Sequence, residues 1–175
     1  MSRRERKRLF FALNPDAAVR EHVAAIQGAC NVDARPVPPA NFHVTLAFLG
    51  MQEASVIPRV REVASGLVVP GCELRLDQVG RFRRAGVLWL SASEPPAVLG
   101  AFQQALVDAL LAANIGYDRK PWKPHLTLYR KMRNPAPTMG PVEVRWRLHG
   151  FSLVESVSIN RGVEYHDIAS WNAGA

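Results

Sequence analysis

Two short stretches of this chain match each other, and together they restrict it more than any other feature of the sequence. His43-Val44-Thr45-Leu46 returns later as His125-Leu126-Thr127-Leu128. Each lies in an apolar, strand-forming run, Phe42 to Leu49 and His125 to Tyr129. In an extended strand residues i and i+2 share a face. His43 and Thr45 therefore stand side by side, with Phe42, Val44, Leu46 and Phe48 on the opposite face. His125 and Thr127 pair in the same way, with Leu126 and Leu128 behind them. The chain has 5 histidines and only three threonines, Thr45, Thr127 and Thr138, so chance supplies about 0.1 His-x-Thr pair. A single pair reads as a sheet histidine next to a good strand former. Two matched pairs in apolar strands need a reason, because burying polar groups is costly.

The rest of the chain reads as helices interleaved with groups of strands. Its 175 residues suit one domain with a real core, and 48% apolar with 21% charged residues is a globular mix. After a first strand at Leu9–Leu13, Asn14 caps a helix with Pro15 at its first position. Val19, Val23, Ile26 and Cys30 then follow at helical spacing. Val56, Val60, Val63 and Leu67 mark a second helix, and Pro95-Pro96 opens a third carrying Leu99, Phe102, Leu106 and Leu110. Further strands fall at Glu73–Val79 and Val87–Ala92, at Val142–Leu148 paired with Phe151–Ile159, and around Tyr165. This order predicts an α+β fold with largely antiparallel sheets and no internal linker.

The net charge of +7 is unevenly spread: Arg3, Arg4, Arg6, Lys7 and Arg8 crowd the start against Glu5 alone. Residues 1–8 read as a basic N-terminal arm, more a solvated tail than a nucleic-acid contact, and 9–175 as a single domain. The apolar run Leu9–Leu13 is too short for a signal peptide and ends at Asn14-Pro15. No stretch approaches the ~20 apolar residues of a membrane span. Cys30 and Cys72 make neither a disulfide framework nor a CxxC pair, so a zinc site is not expected and a reducing, cytoplasmic compartment is.

Two imidazoles placed together suit phosphoester chemistry at neutral pH. One, neutral, takes a proton and the other, protonated, gives one. If the motif strands lie beside each other, the histidines flank a phosphorus and the threonine hydroxyls reach its non-bridging oxygens.

With their flanks, the two motifs resemble the two-histidine (2H) phosphoesterase superfamily. Within it the chain is similar to the RNA 2′,3′-cyclic phosphodiesterases, also described as 2′-5′ RNA ligases. The matching stretches are Arg8–Leu13, Asn41–Gly50, Pro124–Arg130, Phe151-Ser152-Leu153, and Arg161-Gly162 with Tyr165 and Trp171. The resemblance implies a bilobal, pseudo-two-fold arrangement of antiparallel sheets with outer helices and an active-site cleft between the lobes. It implies hydrolysis of a terminal RNA 2′,3′-cyclic phosphate to a 2′-phosphate without metal or cofactor, with 2′-5′ ligation as the reverse. His43 then matches the proton donor and His125 the proton acceptor, with Thr45 and Thr127 beside them. The expected partner is RNA with a cyclic phosphate end, acted on by a monomer with no membrane contact.

Four more residues are candidates for binding substrate: Arg130, Phe48, Tyr129 and Lys123. Arg130 follows the second motif, where the family commonly has an arginine near the phosphate. A regular strand puts it on the face away from His125, so it needs a bulge or a strand end to reach the site. Phe48 belongs to the core by alternation and beneath a base by family likeness. Arg119, Lys120, Lys123, Lys131 and Arg133 form a basic neighbourhood suited to a polyanion. Two other functions share these features, a non-catalytic module that binds RNA ends and the same chemistry on a small cyclic phosphate.

Overall fold

A continuous apolar run in the first strand, Leu9 to Leu13, is buried on both faces and so lies at the centre of a sheet. The computed structural model describes residues 5–173. Its first half contains β1 (Arg6–Leu13), α1 (Ala17–Ala29), β2 (Arg35–Pro36), β3 (Val44–Glu53) and α2 (Ile57–Ser65). Then come β4 (Glu73–Leu76), β5 (Gln78–Phe82), β6 (Val87–Ser91), α3 (Ala97–Ala112) and β7 (His125–Arg130). The chain ends with β8 (Val144–Arg147), β9 (Gly150–Ile159) and β10 (Gly162–Asn172).

One sheet runs in the order β10-β9-β1-β3-β7-β6-β5, with β2 paired to β7, and β4 and β8 form a separate ribbon. All pairings are antiparallel. The large sheet consists of two related halves, β9-β1-β3 and β5-β6-β7. They meet at one residue pair, Val44 with Leu126, both fully buried. Exchanging β3 with β7 also exchanges β1 with β6, and α1, which follows β1, with α3, which follows β6. The expected α+β, two-lobed architecture is therefore present as a continuous sheet with a local two-fold at its seam.

Helices α1 and α3 cover one face of this sheet. Val19 and Val23 on α1, and Leu99, Phe102, Leu106 and Leu110 on α3, join the core built on Leu9, Phe11, Leu13 and Leu46. The other face is left for the site. No described helix is long and apolar enough to cross a membrane.

Several local expectations change. Helix α1 is capped by Asp16, whose carboxylate accepts the Val19 N–H at 2.9 Å. The Asn14 amide donates instead to the Ser152 hydroxyl and the Asp167 carboxylate, tying β1 to the last hairpin. Residues 1–4 of the proposed arm lie outside the described residues, and Arg6, Lys7 and Arg8 belong to β1, held by pairing with β3. The expected strand Glu73–Val79 divides at Asp77, whose carboxylate takes the Ser93 N–H and hydroxyl, both at 2.7 Å. Its two pieces join different sheets. The segment Val144–Arg147 pairs with Glu73–Leu76 rather than with Phe151–Ile159, because alternate burial of Leu74, Leu76, Val144 and Trp146 closes that ribbon against the core.

Asp16→Ala is expected to lower the unfolding free energy by about 1 kcal/mol in denaturant melts. An Asp16→Ala protein that melts like wild type would take the cap away from Asp16.

Candidate active site

The two motifs meet because antiparallel register around Val44 and Leu126 sets His43 opposite Thr127 and Thr45 opposite His125. Each motif strand then bulges at the same point. On β3, Thr45 faces Ala12 and Ala47 faces Phe11, leaving Leu46 unmatched. On β7, Thr127 faces Trp89 and Tyr129 faces Leu88, leaving Leu128 unmatched. A bulge adds one residue and reverses the alternation beyond it. Leu46 and Ala47 are thus both buried, as are Leu128 and Tyr129. The next residues, Phe48 and Arg130, come round to the cleft.

Both histidines are fixed in the same way. The His43 Nδ1–H donates to the Asn41 carbonyl at 2.7 Å, and the His125 Nδ1–H to the Lys123 carbonyl at 2.7 Å. A carbonyl can only accept, so in the neutral ring the proton sits on Nδ1 and Nε2 carries the lone pair. Nε2 of His43 lies 3.0 Å from the Thr45 hydroxyl, while the Thr127 hydroxyl has no partner among the described residues. Aromatic rings hold the imidazoles laterally. Phe10 and Tyr165 lie 5.0 and 5.1 Å from His43, and Phe82 meets His125 edge-on at 4.9 Å.

Burial pushes His43 down to about 4, against the pull of the Asn41 carbonyl; the charges of Arg130 and His125 push the same way. His125 is also lowered by burial and by Arg130, against the Lys123 carbonyl. Arg130 therefore acts on both rings.

A cavity of about 610 Å³ opens beside His43, Thr45 and Phe48. Arg8, Arg35, Arg130, Lys131 and Arg161 line it, and among the described residues no carboxylate does. Such a surface attracts an anion and repels a divalent cation. The cavity belongs mainly to the first half of the sheet. Trp89 opposes Thr127, and its indole lies so close to Gly80 that a Cβ there would be 2.2 Å from the ring.

Of the sequence candidates, His43, Thr45, Phe48 and Arg130 line this cavity, with His125 across the seam near enough to act on His43. Phe48 leaves the core position that alternation gives it, carries Arg8 over its ring at 5.0 Å, and is only partly buried. Tyr129 is corrected from a substrate contact to a core residue. The bulge turns it inward, where it is 8% exposed and its hydroxyl donates to the Gln27 carbonyl at 2.8 Å. Lys123 supports the site through its main-chain carbonyl, and its side chain is exposed and outside the cavity lining. Within the expected basic neighbourhood only Lys131 lines the cavity; Arg119, Lys120 and Arg133 do not. Sequence reasoning gives Arg35 no role in binding, places Arg8 in a solvated basic arm, and uses Arg161 only as a point of likeness. They come from separate strands and loops, and no local spacing connects them.

Comparison with known proteins shows the family of the chain. The family model of the 2′-5′ RNA ligase superfamily matches residues 15–158. The chain is 30% identical over 171 residues to the RNA 2′,3′-cyclic phosphodiesterase of Escherichia coli (strain K12), covering 95% of this chain and 97% of that one. It is 30% identical to the protein of the same name from Archaeoglobus fulgidus, covering 92% and 97%. A crystal structure of E. coli LigT complexed with 3′-AMP superimposes with a TM-score of 0.88 at 28% identity, over 98% of this chain and 100% of that one.

In histidine NMR titrations of the free protein, His43 is expected to have a midpoint near 4 and His125 one below 6.5. Arg130→Gln should raise both midpoints by removing a cation from both rings. Unchanged midpoints in that variant would place Arg130 away from the histidines.

Proposed function

The chain belongs to the 2′-5′ RNA ligase superfamily, and we propose that it hydrolyses the 2′,3′-cyclic phosphate at an RNA end to a 2′-phosphate. The observation that carries this reading is the crossing of two His-x-Thr strands at Val44 and Leu126, with the charge of Arg130 felt by both imidazoles. Such a site supplies a base, an acid and a cation around one phosphorus.

His125 accepts a proton at Nε2 from the attacking water, whose oxygen bonds to phosphorus. The P–O3′ bond breaks, and Nε2 of His43 delivers a proton to the departing 3′-oxygen. Water's two hydrogens are thus accounted for, one on His125 and one left on the new phosphate oxygen. Thr45, Thr127 and Arg130 hold the non-bridging oxygens, whose negative charge grows in the transition state. With a 5′-hydroxyl in place of water, the same steps join two ends through a 2′-5′ linkage. Both proton transfers and the charge balance come from the protein's own side chains, so the scheme needs no metal. Polyanionic RNA fits the run of cations from Arg130 to Arg161 along the cavity, with Phe48 beneath a base. We assign this work to a single-domain monomer in the cytoplasm.

The pH dependence follows from the lowered imidazoles. The reactive free enzyme needs His43 protonated and His125 neutral, and both groups titrate below 6.5. The optimum of kcat/KM is therefore expected below pH 6.5, with activity falling on the alkaline side as His43 loses its proton. The bound phosphate anion stabilises the imidazolium, so the kcat optimum should lie at higher pH. Coincident optima would argue against an anion bound next to His43.

Oligoribonucleotides ending in a 2′,3′-cyclic phosphate provide the decisive assay, run in chelator with the products resolved. His43→Ala and His125→Ala should each lower turnover by about 10²–10⁴-fold, with wild type giving the 2′-phosphate. Full activity in either variant removes the two-histidine mechanism. Wild type inactive on RNA but active on a small cyclic nucleotide would move the substrate to that class.

A further inference from the structure

Among the described residues, the buried polar side chains are Gln27, Gln103 and Ser152. The two glutamines sit on α1 and α3, the helices exchanged by the two-fold at the seam, and neither lines the cleft. Gln27 donates through Nε2 to the Leu128 carbonyl at 2.7 Å and to the Val37 carbonyl at 2.9 Å. Gln103 donates through Nε2 to the Leu46 carbonyl at 3.1 Å. Leu46 and Leu128 are the unmatched residues of the two bulges. Each half of the protein thus sends one buried amide into the bulge of the other half's motif strand.

A bulge interrupts the ladder, and a buried carbonyl set loose there needs a donor. Backbone alone supplies part of this at Leu128, where the Val37 N–H also donates at 2.9 Å. Everything beyond the bulge depends on it. In an unbulged strand Phe48 and Arg130 would face the helices, and Ala47 and Tyr129 would face the cleft.

We infer that Gln27 and Gln103 are positioning residues of the active site: by holding the carbonyls of Leu128 and Leu46 they fix the strand phase that brings Arg130 and Phe48 to the cleft face. The role assigned to Arg130 rests on the proposed phosphodiesterase reading. The two glutamines then act differently despite their symmetry. Gln27 works through a cation beside the reacting phosphate, and Gln103 through an aromatic face that binds substrate.

Gln27→Met and Gln103→Met keep the side-chain length and remove the donor. In the full-length protein, Gln27→Met is expected to raise the NMR midpoints of His43 and His125 as Arg130→Gln does. It should lower kcat on the cyclic-phosphate oligonucleotide about tenfold or more, and the Gln27→Met/Arg130→Gln double variant should lose no more than Arg130→Gln alone. Gln103→Met should leave both midpoints in place and raise KM for the oligonucleotide about tenfold. A folded Gln27→Met protein with wild-type midpoints, or losses that multiply in the double variant, would overturn the role of Gln27. An unchanged KM in Gln103→Met would overturn that of Gln103. If Gln27→Met does not fold, the wild-type protein decides: a through-hydrogen-bond coupling from the Gln27 side-chain nitrogen to the Leu128 carbonyl carbon must be present, and its absence ends the proposal. The titrations use no substrate. Wild type inactive on RNA would therefore end the functional reading while the midpoints still judge the positioning role.

Discussion

Between β3 and β7 the backbone makes a single pairing, Val44 with Leu126, and the placement of the cleft residues follows from it. Antiparallel pairing at that point crosses the two motifs, so the histidine of each strand lies opposite the threonine of the other. Both members of the pair are fully buried, and the cores of the two halves merge beneath them. A slip of one residue in either strand would turn that strand's histidine into the core. Register is therefore fixed by hydrophobic burial on the side away from the chemistry.

The same burial sets the histidines' electrostatics. Desolvation favours neutral imidazoles, and Arg130 adds to the effect, so the free site holds two lone pairs and a cation ready for an anion. An arriving phosphate reverses the balance by giving the imidazolium of His43 a counter-charge that offsets its burial and the charge of Arg130. The halves share this chemistry but divide the space. The cavity lies beside His43 and Thr45 of one motif, and neither His125 nor Thr127 of the other lines it. A site symmetric in its catalytic groups is thus asymmetric in what it can hold.

Much of this could be read from the strands and helices taken singly. Period-two alternation identified the motif strands, and helical spacing found α1, α2 and α3, although the buried Gln27 of α1 and Ala64 of α2 lie outside the expected stripes. Errors arose where a choice depended on distant partners. Asn14 and Asp16 are both good caps, and only the position of the last hairpin decides which is used. The strand Val144–Arg147 could pair with its sequence neighbour, yet its alternating apolar side chains close against Leu74 and Leu76. Tyr129 alternates correctly toward the cleft until the bulge at Leu128 turns it inward.

By itself the sequence determined the chemical kind of the site: two histidines, each with a threonine two residues on, in strands whose other face is apolar. That much is local, because a strand's period assigns faces without reference to anything else. Only the tertiary structure decided which other groups share the cleft. Arg8, Arg35, Arg130 and Arg161 come from different strands and loops and converge only when the sheet closes. Arg130 and Phe48 reach the cleft because bulges reverse the alternation, and buried amides from helices far along the chain bond those bulges. The physical reason is that a bulge's stability depends on donors the strand does not contain, so the strand's own residues cannot announce it.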